Sequence, residues 1–316
     1  MTNISVGSTL HYSLLWTEPA ARQRFIERLE LVHALGTTLE AVHEPQVAER
    51  KIHWWHEELQ RMSEGSARHP AAQACQSSLV LSNNPSWPAD QNNEADQTAI
   101  DAHPALNACL NIVSAASTMR FTPPSSEKEA NALLEKNYLA RMALLAHALS
   151  DNIDDLDLPG HSSLAALALG KFEQLSRLPH LIHRGQAVFS DQLYKQHAIR
   201  PTDLAGKIRI APDAESPSTK QASSGLHSIP LTVEKPEIQA LLNAAITTAH
   251  QDFQRAMADD ETVSRYRQAP LLPLWRLIVL REKQLAMWQR NPPNLLRERT
   301  TLTPLVKLFH AWRNRR

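Results

Sequence analysis

The residues that could do chemistry in this chain fall into a few groups. His53 with His56 or Glu57, and His180 with His183, have the i, i+3 or i, i+4 spacing that sets two metal ligands on one helix face. Neither pair has a third ligand in view, and zinc needs three or four, so no metal is assigned to either. Asp151, Asp154, Asp155 and Asp157 form an acidic cluster that could pass for a cation site. Leu158-Pro159-Gly160 follows at once, which marks an interhelical loop, and a helix C-terminus disfavours negative charge. A solvated loop is therefore the expectation. Arg177 and Arg184 carry guanidinium forks that suit phosphate oxygens, against the alternative of a solvated helix face. Trp54 and Trp55 are expected in the core, with a wall of a ligand cavity as the alternative. No hydroxyl or thiol lies in a recognisable nucleophile motif.

These side chains must be positioned by helices. Thr17-Glu18-Pro19 reads as a helix start with a capping hydroxyl, an acid and an early proline, followed by Phe25, Leu29, Val32 and Leu39 at helical spacing. Pro45 opens a second helix that puts Ile52, Trp55, Leu59 and Met62 on one face and closes near Gly65. Leu134, Tyr138, Met142, Leu145 and Leu149 form a third stripe. Further helices are predicted over His161–Arg184, Pro236–Ala258 and Pro273–Gln289, and a last one carries Leu305, Leu308 and Trp312. No segment alternates with period two, so the predicted fold class is all-α, a single domain over 1–316. Two polar stretches, 76–103 and 207–230, are rich in Ser, Asn, Asp, Thr and Pro and are predicted to be mobile insertions. His69-Pro-Ala-Ala-Gln-Ala-Cys75 recurs as His103-Pro-Ala-Leu-Asn-Ala-Cys109, twice only, which is too few for a solenoid.

Composition excludes several classes. Eight glycines in 316 residues are about a third of the usual share, which disfavours hairpins and phosphate-cradling loops. No G-x-G-x-x-G or Walker motif is present. A formal net charge of zero argues against nucleic acid as a partner. Cys75 and Cys109 cannot make a disulfide framework, which suits a reducing, cytoplasmic compartment. The first residues lack a signal-peptide pattern, and apolar runs such as Leu277-Ile-Val-Leu280 are far short of the ~20 residues that cross a bilayer.

The stretch Glu44-Pro45-Gln-Val-Ala-Glu-Arg-Lys51-Ile-His-Trp54-Trp55-His-Glu57-Glu58-Leu59, followed by His69-Pro70, resembles the squalene/phytoene synthase family. Arg184-Gly185-Gln186-Ala-Val-Phe189 through Asp203-Leu204 is similar to that family's R-G-R-x-Y-L-P region, and Leu271 to Trp312 to its C-terminal helices. The resemblance implies a helical isoprenoid-synthase bundle around a central apolar cavity. Its ligand-facing residues would come from Lys51, Trp54, Trp55, Arg177, His180, His183 and Arg184. It also implies two D-x-x-x-D motifs holding Mg²⁺ against a departing pyrophosphate. Those motifs should fall at 34–40 and 177–183. The first window reads Ala-Leu-Gly-Thr-Thr-Leu-Glu, the second Arg-Leu-Pro-His-Leu-Ile-His, and the first aspartate of the chain is Asp90. Leu178-Pro179 before Arg184-Gly185 is similar to a branch without the metal motifs that includes a respiratory complex I assembly factor.

Two functions follow from the resemblance. In one, Mg²⁺-dependent transfer is lost, no catalytic residue or cofactor remains, and the chain binds a prenyl diphosphate, an isoprenoid lipid or a partner protein. In the other it is an active synthase joining two prenyl diphosphates with Mg²⁺. The C-terminal end adds a further expectation. Residues 276–316 hold ten Lys or Arg and two acids, a local charge of +8 in a neutral chain. Trp288, Arg290, Arg297, Arg299, Trp312 and Arg313 are the residues that would meet an anionic membrane surface, peripherally and on its inner face, against the favoured alternative of helices that pack the domain's end with solvated arginines.

Overall fold

The computed structural model describes residues 4–40, 42, 44–80, 104–150, 163–184, 186, 188–205, 236–292, 295 and 300–315. All regular structure among them is helical. In chain order the α-helices are α1 (Thr9–Ser13), α2 (Pro19–Thr37), α3 (Pro45–Ser63), α4 (Pro70–Val80), α5 (Pro104–Phe121), α6 (Glu127–Ser150) and α7 (Ser163–Ser176). They continue as α8 (Leu178–His183), α9 (Asp191–Gln196), α10 (Pro201–Ala205), α11 (Pro236–Ala258), α12 (Asp260–Tyr266), α13 (Leu272–Arg290) and α14 (Pro304–Arg313). A 3₁₀ turn, Ala269–Leu271, leads into α13.

The boundaries follow from capping chemistry. Glu18, rather than the Thr17 hydroxyl, caps α2: its Oε2 accepts from the Ala21 amide at 2.8 Å, with Pro19 in the first turn. Gly65, at φ +81°, ends α3 in the left-handed conformation that only glycine adopts without strain. The two His-Pro repeats start α4 and α5, where proline's missing N–H costs nothing. The repeat is thus two uses of one helix-start device.

Helix α6 is central. It packs on α2, α5 and α7; α7 packs on α11, α11 on α13, and α13 carries α1 and α14. One apolar cluster joins α2, α3, α4, α5 and α6, with Leu31, Leu35, Trp55, Leu59, Cys75, Cys109 and Leu144 nearly or fully buried. A second joins α6, α7, α11 and α13 through Met142, Phe172, Phe253, Ile278 and Trp288.

Three sequence expectations change. The helix predicted over His161–Arg184 is two helices broken at Arg177, because Pro179 cannot donate into a continuing ladder and sits instead in the first turn of α8. The predicted insertion 76–103 begins later, since α4 runs on to Val80; its remainder lies outside the described residues, as do 207–230 and the Asp151–Asp157 cluster. Helix α5 falls where no helix is predicted: it buries Leu106, Cys109, Ile112 and Val113 against α2, α3 and α6 and leaves Asn107 and Ser114 exposed.

Candidate functional site

A cleft enclosing about 590 Å³ and open to solvent lies where the end of α2 meets α5, α6, α7 and α8. Its polar wall carries Glu40, Arg120, Asn137, Tyr138, Arg141, Glu173 and Arg177. Leu134 and Gln174 line it and also a neighbouring solvent-open pocket walled in part by Leu175, Val188, Phe189 and Leu193. That second pocket mixes these apolar side chains with Glu127, Asn131, Lys171, Ser190 and Thr248.

Glu40 is the hinge of the charged end. It follows α2 on two tight turns, with the Glu40 amide donating to Thr37 O and the Val42 amide to Leu39 O, each at 3.1 Å. Arg177 donates to Glu40 Oε1, and His180 Nε2 lies 2.9 Å from Glu40 Oε2. The break between α7 and α8 aims both partners: Arg177 is the linking residue and His180 lies one turn later. Both carboxylate oxygens of the sole acid in window 34–40 are thus engaged by window 177–183.

Arg141 is held differently. Its Nε donates to Asn137 Oδ1 at 2.7 Å and its guanidinium lies 4.8 Å from the Tyr138 ring centroid, leaving the two terminal nitrogens without a partner among the described residues. Two glycines give these groups room. A Cβ on Gly36 would sit 2.3 Å from Arg141 Nη2, and one on Gly170 would sit 2.9 Å from the Tyr138 ring. Burial pushes the Tyr138 phenol well above its ordinary value, against the opposing effect of Arg141, so it is a proton donor at neutral pH. Arg120 is fixed by Nε donating to Val42 O at 2.9 Å and Nη1 to Arg184 O at 3.0 Å.

Of the residues singled out from sequence, Arg177 lines the cleft and His180 reaches it through Glu40. Trp54 and Trp55 line neither of these two pockets; both hold helices together. Trp55 is buried and its Nε1 donates to Thr38 Oγ1 at 2.8 Å, while Lys51 Nζ donates to Thr38 O at 3.2 Å. Both fix the C-cap of α2, two residues before Glu40, so they position the cleft from outside. Trp54 is exposed and packs edge-on to Trp55 and His69. Glu58 completes this junction: its Oε1 accepts from the Arg68 and His69 amides at 2.6 Å each, pinning the start of α4. Burial pushes the Glu58 carboxyl up, but those amides and Arg61 outweigh burial and hold it below the ordinary carboxylate value. His183 is exposed in the last turn of α8, and Arg184 caps that helix without lining the cleft.

The C-terminal candidates divide as well. Trp288 is buried, stacked on Phe172 at 5.4 Å, with Nε1 donating to Thr300 O at 3.1 Å, so it meets no membrane. Arg290, Trp312 and Arg313 are exposed; Arg297 and Arg299 lie outside the described residues.

Glu40, Arg141, Tyr138 and Glu173 were not foreseen. Their signal was glycine: Gly36 and Gly170 stand inside helices of a glycine-poor chain, where each costs about 1 kcal/mol relative to alanine unless close packing requires it.

The donor set does not fit magnesium. That ion takes near-octahedral oxygen, through carboxylates and water. Window 177–183 supplies none, and both Glu40 oxygens are engaged, by Arg177 and His180. Among the described residues no three His, Cys, Asp or Glu cluster where they could share a metal. What the wall can do is hold an anion, with Arg141 uncommitted and Tyr138 protonated beside it. Comparison with protein-family models and with characterised proteins returns no match.

Proposed function

We propose that this chain is a squalene/phytoene synthase-like helical bundle that binds a prenyl lipid with a diphosphate or phosphate head group and performs no magnesium-dependent transfer. The observation that carries the reading is the closure of Arg177 and His180 on Glu40. An internal ion pair stands across the two windows in which the resemblance calls for metal-holding carboxylates. Arg141 then takes the head group through its two unshared nitrogens. The apolar chain runs past Leu134 and Gln174 toward Leu175, Val188 and Phe189, which line part of the adjoining pocket. Such a lipid resides in a bilayer, so the reading brings with it peripheral attachment to the cytoplasmic face of a membrane.

Calorimetric titration with farnesyl and geranylgeranyl diphosphate, with and without Mg²⁺, tests this beside an assay for pyrophosphate release. The expected result is binding that needs no Mg²⁺, with no release above background. Arg141→Ala should weaken it by about 1.5–3 kcal/mol, the range for a hydrogen bond to a charged group. Absence of binding assigns the cleft to a protein partner. Magnesium-dependent release abolished by Arg177→Ala restores the synthase reading and overturns this one.

A further inference from the structure

Exposed large apolar side chains are concentrated at one end of this molecule. Among the described residues there are eight, and five of them lie on α14: Leu305 (79% exposed), Val306, Leu308 (41%), Phe309 (52%) and Trp312 (50%). Two more, Val6 and Trp16, flank α1, which packs against α14. Leu305, Leu308, Phe309 and Trp312 follow the i, i+3, i+4, i+7 pattern of a single helix face. That pattern normally marks the buried side of a helix. Here the opposite side is the buried one. Ala311 is fully buried, Lys307 Nζ donates to Gly7 O at 2.9 Å, and Asn314 accepts from Trp275 Nε1 at 3.2 Å. The helix is pinned to the body and presents its apolar stripe to solvent.

We propose that α14 is an in-plane docking helix for an anionic lipid surface. Charge selects this occupant. Residues 299–316 contain five Lys or Arg and no Asp or Glu. Lys307 is used internally, but Arg313 and Arg315 are exposed beside the stripe, Arg315 lying 5.3 Å from the Trp312 ring centroid. A second copy of the chain would bring like charges together across the same face, whereas acidic phospholipid head groups neutralise them. An apolar stripe bearing Trp and Phe beside arginines is the composition that settles at the boundary between head groups and acyl chains. No helix among the described residues is long and apolar enough to cross a membrane, so attachment through this helix is interfacial. The assignment does not depend on what the cleft binds.

Flotation of the full chain with vesicles of phosphatidylcholine alone, or with about one third phosphatidylglycerol, tests the proposal. Binding is expected only to the anionic vesicles at about 0.1 M salt, and is weakened at about 1 M, where the Debye length is a third as long. Phe309→Ser with Trp312→Ser should lower partitioning by about tenfold or more, since two large apolar groups leave the interface. Arg313→Gln and Arg315→Gln should lower it about fivefold each. All four positions are exposed, so an unchanged circular dichroism spectrum is expected. Trp312→Phe gives an independent readout: the emission lost on substitution should be the part that shifts blue with anionic vesicles. Arg141→Ala should leave flotation intact, which separates failure of this face from failure of the cleft. A chain that stays unbound on anionic vesicles at low salt overturns the proposal. So does binding that survives the Phe309/Trp312 double substitution. A concentration-dependent dimer dispersed by that same double substitution assigns the face to a second copy and overturns it too.

Discussion

Two ion pairs join helices far apart in this sequence, and they do different work. Lys171 of α7 meets Asp252 of α11 at 2.7 Å, with the two side chains 11% and 5% exposed. Glu40 meets Arg177 and His180 at the cleft, with Glu40 13%, Arg177 26% and His180 38% exposed. The first pair is almost wholly buried between two packed helices, and Asp252 also accepts from Arg255 at 3.3 Å, so breaking it strands Lys171 at the edge of a pocket. The second sits on a wall that solvent reaches, so water or an anion can take over either side. A buried pair is costly to break and of uncertain net worth, whereas a cleft pair is exchangeable. The difference separates a structural lock from a candidate binding device.

The sharpest way to break the contrast is Asp252→Ala. It leaves the Lys171 ammonium buried with no carboxylate, and about 3–5 kcal/mol of stability should be lost in urea unfolding. A loss below about 1 kcal/mol would show that this pair, too, is open to water.

A second substitution acts on the cleft by geometry alone. Gly36→Ala places a methyl where Arg141 Nη2 now lies. The guanidinium is a flexible end and moves aside, and alanine gains about 1 kcal/mol of helix propensity, so stability should change by no more than about that amount. Prenyl diphosphate affinity measured by calorimetry should nevertheless fall by about tenfold, the equivalent of one displaced charge-assisted contact. Unchanged affinity would mean Arg141 does not hold the head group.

Glu40→Gln should cost less than about 1 kcal/mol, because the pair it breaks is partly solvated. It also frees Arg177, so affinity for an anion should rise rather than fall. A drop in stability as large as that of Asp252→Ala would erase the distinction between the pairs.

The smallest effect concerns pH. Glu58 is held below its ordinary value of 4.5 in the folded state, so the unfolded chain binds its proton more readily. The stabilisation is therefore complete above about pH 4.5 and is lost as pH falls through the lower folded-state value. Glu58→Gln should flatten this part of the acid limb in a denaturation series. The gap between the two proteins should close toward low pH.

Helix existence was written locally. Pro19, Pro45, Pro236 and Pro304 set starts, Gly65 set an end, and apolar stripes on α2, α3 and α6 set buried faces, because capping and periodicity act within one or two turns. The want of a D-x-x-x-D pair at 34–40 and at 177–183 was equally plain, being a matter of residue identity. Helix α5 escaped because its buried face is built largely from Ala105, Ala108, Cys109 and Ala115, small side chains that contrast weakly with Asn107 and Ser114 opposite. Trp288 was misassigned since charge density along the chain says nothing about which way one side chain points; its ring stacks on Phe172, 116 positions away in sequence.

What tertiary structure alone decided was pairing. Glu40 lies 137 residues from Arg177, and Arg141 meets Gly36 only because α2 packs on α6. Arg276 and Lys307, counted only as charge in the sequence, turn inward to donate to the carbonyls of Ser13 and Gly7 and so tie α13 and α14 to the segment around α1. A residue's type fixes which contacts it can make. Which of them it makes depends on what the fold brings within about 3 Å, the reach of a hydrogen bond, and no local pattern encodes that distance.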